Sequence, residues 1–182
     1  MTNIFCFGDS NTYGYDPRSY LGGRYPGGTF WTDILNENPY WHVTNGGMNG
    51  RTIPDGRTAA LPGADLLVVM LGSNDLLCGY SPEDTAARME RFLAHAAPQY
   101  PQTLLVAPPP MKRGEWVTEE RLPADSARLA EEYRAVAERL HIHFADAGQW
   151  GVELAFDGVH FSQAGHLAFA KGISFLLNSI IE

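Results

Sequence analysis

Three short polar clusters each follow an apolar run of the chain, and their side chains are of types that take part in catalysis. Gly8-Asp9-Ser10-Asn11 follows the first run, Asn45-Gly46-Gly47-Met48-Asn49-Gly50 the second, and Gly72-Ser73-Asn74-Asp75 the third. A serine hydroxyl is a weak nucleophile until a neighbouring base takes its proton. Glycine amides and asparagine carboxamides can donate hydrogen bonds to a developing oxyanion. Together the clusters predict acyl transfer, provided that the fold brings them to one place.

A fourth cluster, Asp157-Gly158-Val159-His160, precedes the last amphipathic segment. A spacing of three residues across a turn can bring a carboxylate to an imidazole, which fixes the tautomer and stabilises the imidazolium. We therefore expect Ser10 to be the nucleophile, His160 the base and Asp157 its orienting carboxylate. Each cluster alone is typical of turns and helix caps, so the prediction depends on all four together.

The elements that must position these clusters are short apolar runs alternating with amphipathic segments. The run Leu66–Leu71 does not alternate, which indicates a strand covered on both faces of a parallel sheet. The predicted strands are Ile4–Phe7, Trp41–Thr44, Leu66–Leu71, Thr103–Ala107 and His143–Phe144. Strands and helices in alternation predict an α/β domain with helices on both faces. The clusters then share the carboxyl edge of the sheet, where such folds carry their sites.

Helix patterns fill the intervals between the strands. Ser81-Pro82-Glu83-Asp84 combines a capping serine, a proline at the first helical position and acids in the first turn. The further predicted helices are a short one over Thr32–Asn36 and longer ones from about Asp125 to Leu140 and from about Ser162 to Ile180. There is no internal repeat and no low-complexity tract, so we expect a single domain over residues 1–182.

The order and placement of the four clusters resemble those of the SGNH hydrolases, also called the GDSL esterase/lipase family. The resemblance covers nearly the whole chain and implies a flavodoxin-like three-layer α/β/α sandwich with a parallel sheet of about five strands. It also implies that the N–H groups of Ser10 and Gly50 and the side chain of Asn74 form the oxyanion hole. The triad of Ser10, Asp157 and His160 falls on the matching positions.

Within the family, three segments look most like the branch of short-acyl aryl esterases and acyltransferases: Leu66–Asp75, Val106–Pro110 and Asp157–Phe161. One departure is Asn11, which stands where the family name has leucine. We expect this change to leave the chemistry intact and to alter the pocket wall. The Gly-x-Ser-x-Gly motif of α/β-hydrolases is absent, which disfavours that other serine-hydrolase fold.

The net charge of the chain disfavours nucleic acid and anionic membranes as partners. The chain has 13 Lys and Arg against 21 Asp and Glu, a formal charge of −8, and its only lysines are Lys112 and Lys171. Binding to nucleic acid or an anionic membrane needs basic patches, so neither is expected.

Cys6 and Cys78 do not make a disulfide framework. With no signal-like start, the predicted location is the cytoplasm. The sequence leaves a homo-oligomer open.

Histidine and aromatic residues elsewhere in the chain suggest further hypotheses. His141 and His143 would share a face of a strand and could be two metal ligands, but a third ligand at suitable spacing is missing. Four aromatic residues could line an acyl pocket, although such residues are as often core: Tyr13, Tyr15, Trp31 and Trp150.

The predicted activity is hydrolysis of short-chain esters, acetyl to butyryl, through an acyl-enzyme and with no metal or organic cofactor. The substrate is a small-molecule ester, and transfer of the acyl group to an alcohol in place of water is left open. One alternative keeps the mechanism but makes the chain a deacetylase of acetylated sugars or xylan. An alternative of another class is a non-catalytic carbohydrate- or ligand-binding domain on the same scaffold.

Overall fold

Five parallel strands form the central sheet of the protein, for which the structure is a computed structural model. It describes residues 1–19, 21–55 and 61–181. The strands lie in the order β2-β1-β3-β4-β5, which is the flavodoxin-like order. Their bounds are Thr2–Gly8 for β1, Trp41–Gly47 for β2, Leu66–Met70 for β3, Gln102–Ala107 for β4 and His143–Asp146 for β5.

Six α-helices connect and cover the strands in the described part of the chain. They are α1 (Ser10–Tyr13), α2 (Trp31–Leu35), α3 (Ser73–Leu77), α4 (Pro82–Ala96), α5 (Arg121–Leu140) and α6 (Gln163–Ile181). Short 3₁₀ turns follow α4 at Ala97–Gln99 and β5 at Ala147–Trp150. The α/β class, the parallel sheet and the flavodoxin-like arrangement expected from the sequence are confirmed.

Two apolar cores lie on opposite faces of the sheet, because alternate residues of each strand point to opposite sides. On β1, Phe5 and Phe7 pack with α4 and α5, whereas Ile4 and Cys6 pack with α2 and α6. All five residues of β3 are buried, as its unbroken apolar run predicts. The result is the expected three-layer α/β/α arrangement.

Several element boundaries differ from the sequence prediction, and two of the differences have identifiable reasons. β2 continues through Gly47, because Asn45, Gly46 and Gly47 pair in register with Cys6, Phe7 and Gly8 of β1. The predicted helix start near Asp125 is also wrong, since α5 begins at Arg121. Pro123 lies in its first turn, where the missing N–H would have no helical partner.

Among the described residues, α6 alone has the length and apolar content of a membrane-spanning helix. Phe169, Ile173 and Leu177 on this helix are nevertheless fully buried against the sheet. Packing of that kind places one face of α6 in the core, whereas Leu167 and Phe175 on the same helix are exposed.

Candidate active site

Ser10 is placed by the junction between β1 and α1. The strand ends at Gly8, and Asp9 caps the helix by accepting a hydrogen bond from the backbone N–H of Asn11 at 2.9 Å. Ser10 is therefore the first residue of a four-residue helix at the carboxyl edge of the sheet. Its Oγ lies 2.9 Å from Nε2 of His160, which is hydrogen-bonding distance.

His160 is held by Asp157 on its other side. Nδ1 of His160 lies 2.6 Å from Oδ2 of Asp157, and Oδ1 of the same carboxylate accepts the N–H groups of Val159 and His160, each at 3.0 Å. Burial raises the pKa of Asp157, but the hydrogen bonds from the His160 ring and these two amides outweigh it and lower the pKa overall. An ionised carboxylate only accepts, so Nδ1 carries the hydrogen and Nε2 accepts from Ser10.

Gly50, from the loop after β2, and Asn74, from α3, line the same pocket as Ser10 and His160. Gly50 has a φ of 71°, a left-handed conformation that favours glycine. Asn74 lies in α3, directly after β3, and its Nδ2 donates to the carbonyl oxygen of Arg51 at 3.0 Å. A carboxamide nitrogen carries two hydrogens, so this bond fixes the group and leaves one hydrogen to donate.

A buried ion pair connects the loop of Gly50 to α3. Arg88 of α4 donates to Oδ1 of the fully buried Asp75 at 3.0 Å and to the carbonyl oxygen of Ile53 at 2.7 Å. The carboxylate of Asp75 also accepts the N–H of Ile53 at 3.1 Å. The loop that carries Gly50 is thereby tied to the helix that carries Asn74. No sequence motif pointed to Arg88, because its role depends on the packing of α4 against α3.

Ser10, Gly50, Asn74 and His160 line one pocket of about 270 Å³. The other lining residues are Tyr15, Gly22, Asn49 and Trp116. A larger cavity of about 340 Å³ lies at the opposite end of the sheet, where β4 and β5 begin, and contains none of the four. We assign the candidate site to the smaller pocket, because nucleophile, base and hydrogen-bond donors converge only there among the described cavities.

Two aromatic rings flank the imidazole of His160 in this pocket. The centroid of Tyr15 lies 4.6 Å from that of His160, and the centroid of Trp116 lies 5.5 Å away, edge to face. Tyr15 was among the aromatic residues expected from the sequence, but Trp116 was not, and it belongs to the proline-rich segment after β4. Nothing local in that segment indicates that it folds back over the site.

The segment after β4 reaches His160 through backbone contacts to the fourth cluster. The N–H of Lys112 donates to the carbonyl oxygen of Gly158 at 3.0 Å, and the N–H of Trp116 donates to that of Asp157 at 3.1 Å. Gly158 has a φ of 85°, and a Cβ there would collide with the carbonyl oxygen of Lys112. Glycine at this position therefore permits the close approach that brings Trp116 to the pocket.

Several sequence hypotheses about the surroundings are wrong. Trp31 is 1% exposed and packs in the core against Phe169, as does the ring of Trp150. Tyr13 lies beneath the guanidinium of Arg24 and does not line the pocket. Asn11 does not line it either, so the expectation that this residue alters the pocket wall is also wrong.

The two alternating histidines do not form a pair on a strand. His141 ends α5 in a left-handed conformation, whereas His143 lies in β5 and hydrogen bonds through Nε2 to Gln102 at 2.9 Å. Within residues 1–19, 21–55 and 61–181, no group of three or more His, Cys, Asp or Glu side chains is arranged to hold a metal ion.

Asp9 gives a prediction about stability and pH. Burial raises its pKa from 3.8 to about 6, so the folded protein binds this proton more tightly than the unfolded chain. The contribution of Asp9 to stability is complete below its pKa in the unfolded chain, 3.8, and is lost as pH rises through its pKa in the folded protein, about 6. In urea unfolding, the stability of Asp9→Asn relative to the unmodified protein should grow by up to about 3 kcal/mol between about pH 4 and pH 7.

The matched control for Asp9 is Asp146→Asn, because Asp146 is more exposed and likewise accepts a backbone N–H, that of Gly148 at 2.8 Å. This control reports how a carboxylate-to-amide change affects stability at a position that is less buried than Asp9. An unchanged stability difference for Asp9→Asn over the same pH range would contradict the burial of an acid at this position.

Comparison with known proteins identifies relatives along nearly the whole chain. Residues 6–168 match the model of the GDSL-like Lipase/Acylhydrolase family. The native aryl esterase of M. smegmatis is 25% identical with a TM-score of 0.83, covering 98% of this chain and 99% of its own. A protein from Agrobacterium tumefaciens strain C58 assigned as an arylesterase is 30% identical with a TM-score of 0.83, covering 99% and 100%.

A carbohydrate acetylesterase family member from Sinorhizobium meliloti is 26% identical with a TM-score of 0.84, and the match covers 98% of both chains. No curated protein sequence is detectably similar. The family match spans well over half of the chain and includes the clusters around Ser10, Gly50, Asn74 and His160. This chain therefore belongs to the GDSL-like lipase/acylhydrolase family, whose members are hydrolases that act on esters.

Proposed function

We propose that this protein hydrolyses short-chain carboxylic esters through an acyl-enzyme formed on Ser10. The observation that supports the proposal is the hydrogen-bonded chain from Ser10 through His160 to Asp157, which opens on the pocket shared with Gly50 and Asn74. A nucleophile, a base, its orienting group and oxyanion donors are the parts that acyl transfer requires.

In the first half of the reaction, Ser10 Oγ attacks the ester carbonyl carbon while its proton passes to Nε2 of His160. The carbonyl oxygen becomes an oxyanion, which receives hydrogen bonds from the N–H groups of Ser10 and Gly50 and from Nδ2 of Asn74. Asp157 keeps its charge and stabilises the imidazolium. The intermediate then collapses, the imidazolium gives its proton to the departing alcohol, and the acyl group stays on Ser10.

In the second half, His160 takes a proton from water, and the resulting hydroxide attacks the acyl carbon. The second tetrahedral intermediate uses the same oxyanion donors, and the imidazolium returns the proton to Ser10 as the carboxylic acid forms. An alcohol in place of water yields a new ester by the same steps. The proton and electron balance is complete with these side chains, so the proposed reaction uses no metal or organic cofactor.

We expect Asn74→Ala to lower kcat by roughly 10²- to 10³-fold with a smaller effect on KM, because its hydrogen bond strengthens as charge develops on oxygen. Steady-state kinetics on p-nitrophenyl acetate measures both. Asn49→Ala is the matched control, since Asn49 lines the same pocket without a predicted role at the oxyanion. A rise in KM alone would make Asn74 a substrate-positioning residue.

The size of the acyl group follows from the pocket and its loops. Each buried CH₂ contributes about 0.8 kcal/mol, but overfilling a packed site costs roughly 1–3 kcal/mol. Charged side chains interrupt the segments beside the site, so these segments form no continuous apolar cover: Asp16, Arg18, Arg24, Lys112, Arg113, Glu115, Glu119, Glu120 and Arg121. We expect kcat/KM to be highest for acetyl to butyryl esters and to fall steeply beyond about hexanoyl.

A p-nitrophenyl ester series from acetate to palmitate, kept below the concentration at which each ester aggregates, tests this expectation. Medium-length esters above their micelle concentration provide the control for interfacial activation. A rate that keeps rising through decanoate, or that jumps when micelles form, would indicate a lipase.

A second candidate, a deacetylase of acetylated sugars, is favoured by the two rings beside His160. Since His160 protonates the departing alcohol, that alcohol must lie near Tyr15 and Trp116. Aromatic faces stack on aryl rings and also cover the apolar faces of sugars. Release of acetate from acetylated xylan at a kcat/KM above that for phenyl acetate would favour the deacetylase, and the reverse order would favour the aryl esterase.

A further inference from the structure

The carboxamide of Asn11 connects the nucleophile to the base through the backbone on both sides of His160. Oδ1 of Asn11 accepts the N–H of Phe161 at 2.9 Å, and Nδ2 donates to the carbonyl oxygen of Val159 at 3.0 Å. These partners lie 150 and 148 residues away in sequence. One side chain next to Ser10 therefore binds both neighbours of His160.

Asn11 is itself held firmly. Its N–H donates to Asp9 at 2.9 Å, and its carbonyl oxygen accepts Nε1–H of Trp31 at 3.0 Å. The residue is 4% exposed, so its carboxamide meets little competition from water. Leucine, which has a similar size, could neither accept from Phe161 nor donate to Val159. Both backbone groups would then lose these partners in a buried region.

We propose that Asn11 is a positioning residue for the reaction, because its carboxamide holds the backbone of His160 at the distance that lets Nε2 reach Ser10. This inference rests on the proposed esterase function. The hydrogen bond between Ser10 Oγ and His160 Nε2 spans two separate segments of chain, and within the described part of the chain the carboxamide of Asn11 also joins those segments, directly beside it. Displacements of about 1 Å at a reacting pair can reduce a rate by 10²-fold.

The test compares Asn11→Leu with Asn36→Leu. Asn36 makes a matching two-bond contact elsewhere: its Oδ1 accepts the N–H of Val43 at 2.7 Å and its Nδ2 donates to the carbonyl oxygen of Val43 at 2.9 Å. We expect Asn11→Leu to lower kcat for p-nitrophenyl acetate by about 10- to 100-fold, with KM within about threefold. The rate of labelling by a fluorophosphonate should fall in parallel. Asn36→Leu should lower the melting temperature and leave kcat unchanged.

Asn11→Asp provides the second variant. A neutral carboxylic acid can make both backbone bonds, whereas an ionised carboxylate can accept from Phe161 but cannot donate to Val159. We therefore expect kcat of Asn11→Asp at low pH to approach kcat of the unmodified enzyme at the same pH. At high pH, kcat of Asn11→Asp should reach a lower plateau than that of the unmodified enzyme. A negative charge beside His160 would by itself stabilise the imidazolium that forms when Ser10 attacks, so the charge alone would not lower the plateau. A lower plateau therefore reports the loss of the hydrogen bond to Val159.

A folded Asn11→Leu protein with kcat within about twofold of the unmodified enzyme would overturn the proposal. If Asn11→Leu does not fold, a high-pH plateau of Asn11→Asp equal to that of the unmodified enzyme would overturn it instead. Ser10→Ala is measured in the same series. Turnover that survives in Ser10→Ala would refute the proposed function, whereas a normal Asn11→Leu alongside an inactive Ser10→Ala would refute only the role of Asn11.

Discussion

Replacing Ser10 by alanine should lower kcat for p-nitrophenyl acetate by about 10⁴- to 10⁶-fold and leave the fold intact. The change removes the oxygen that attacks the ester, and the acyl-enzyme can no longer form. The loss in stability should be small, because the Ser10 hydroxyl has one hydrogen-bond partner among the described residues and the remaining side chain still fits the start of α1. Kinetics together with thermal unfolding of the same preparation measures both effects.

Ser126→Ala is the matched control for Ser10. Ser126 is also buried and accepts the N–H of Met111 at 2.8 Å, but it does not line the pocket. Removal of the Ser126 hydroxyl should lower the stability of the protein and leave kcat unchanged. Near-normal turnover by pure, folded Ser10→Ala would contradict the serine mechanism. Ligand binding without turnover in the unmodified protein would instead favour the non-catalytic carbohydrate- or ligand-binding alternative.

The second large effect is expected for Asp157→Asn, which should lower kcat by about 10⁴-fold. An amide at position 157 can present its N–H₂ group to His160, which then favours the tautomer with the hydrogen on Nε2. That nitrogen can no longer accept the proton of Ser10. Steady-state kinetics of the folded variant checks this, with the same ester used for Ser10→Ala.

Asp65→Asn is the control for Asp157, because Asp65 accepts the N–H of Asn3 at 2.8 Å at a site remote from the pocket in the fold. The stability of Asp157→Asn relative to the unmodified protein should also depend on pH. The pKa of Asp157 is lowered on folding, so its contribution is present above the unfolded pKa and is lost as pH falls through the folded one. A kcat within tenfold of the unmodified value would show that His160 acts without Asp157.

The parallel sheet was predictable because its strands carry strong local patterns. The unbroken apolar run of β3 indicates burial on both faces, and the structure buries all five of its residues. Once the strands are parallel, their carboxyl ends must share one edge. The clusters after β1, β2 and β3 are therefore brought together by topology, although Ser10 and Asn74 are far apart in sequence.

The short helices of the site were not predictable from periodicity. α1 has four residues and α3 has five, which is too few for an apolar face to show in the sequence. Each forms because tertiary contacts and its cap hold it at the end of a strand. Ser10 and Asn74 were thus assigned to the correct edge of the sheet, but the two short helices that carry them were not predicted.

The walls and supports of the pocket also depend on long-range packing. Trp116 reaches His160 only because the segment after β4 docks on Gly158 and Asp157. Arg88 supports the Gly50 loop only because α4 packs beside α3. Trp31 is an equally large aromatic residue, yet it fills the core. Residue type alone does not distinguish these outcomes, because each is decided by which distant backbone lies opposite.

The most direct measurement is labelling of the unmodified enzyme with a fluorophosphonate, followed by proteolysis and mass spectrometry of the peptides. A fluorophosphonate reacts with a serine that a neighbouring base has activated, so it reports the identity of the nucleophile and the assembly of the site together. We expect one stoichiometric adduct, on the peptide that contains Ser10, with ester hydrolysis lost in proportion to labelling. An adduct on a different residue, or an active enzyme that the reagent leaves unlabelled, would contradict that expectation.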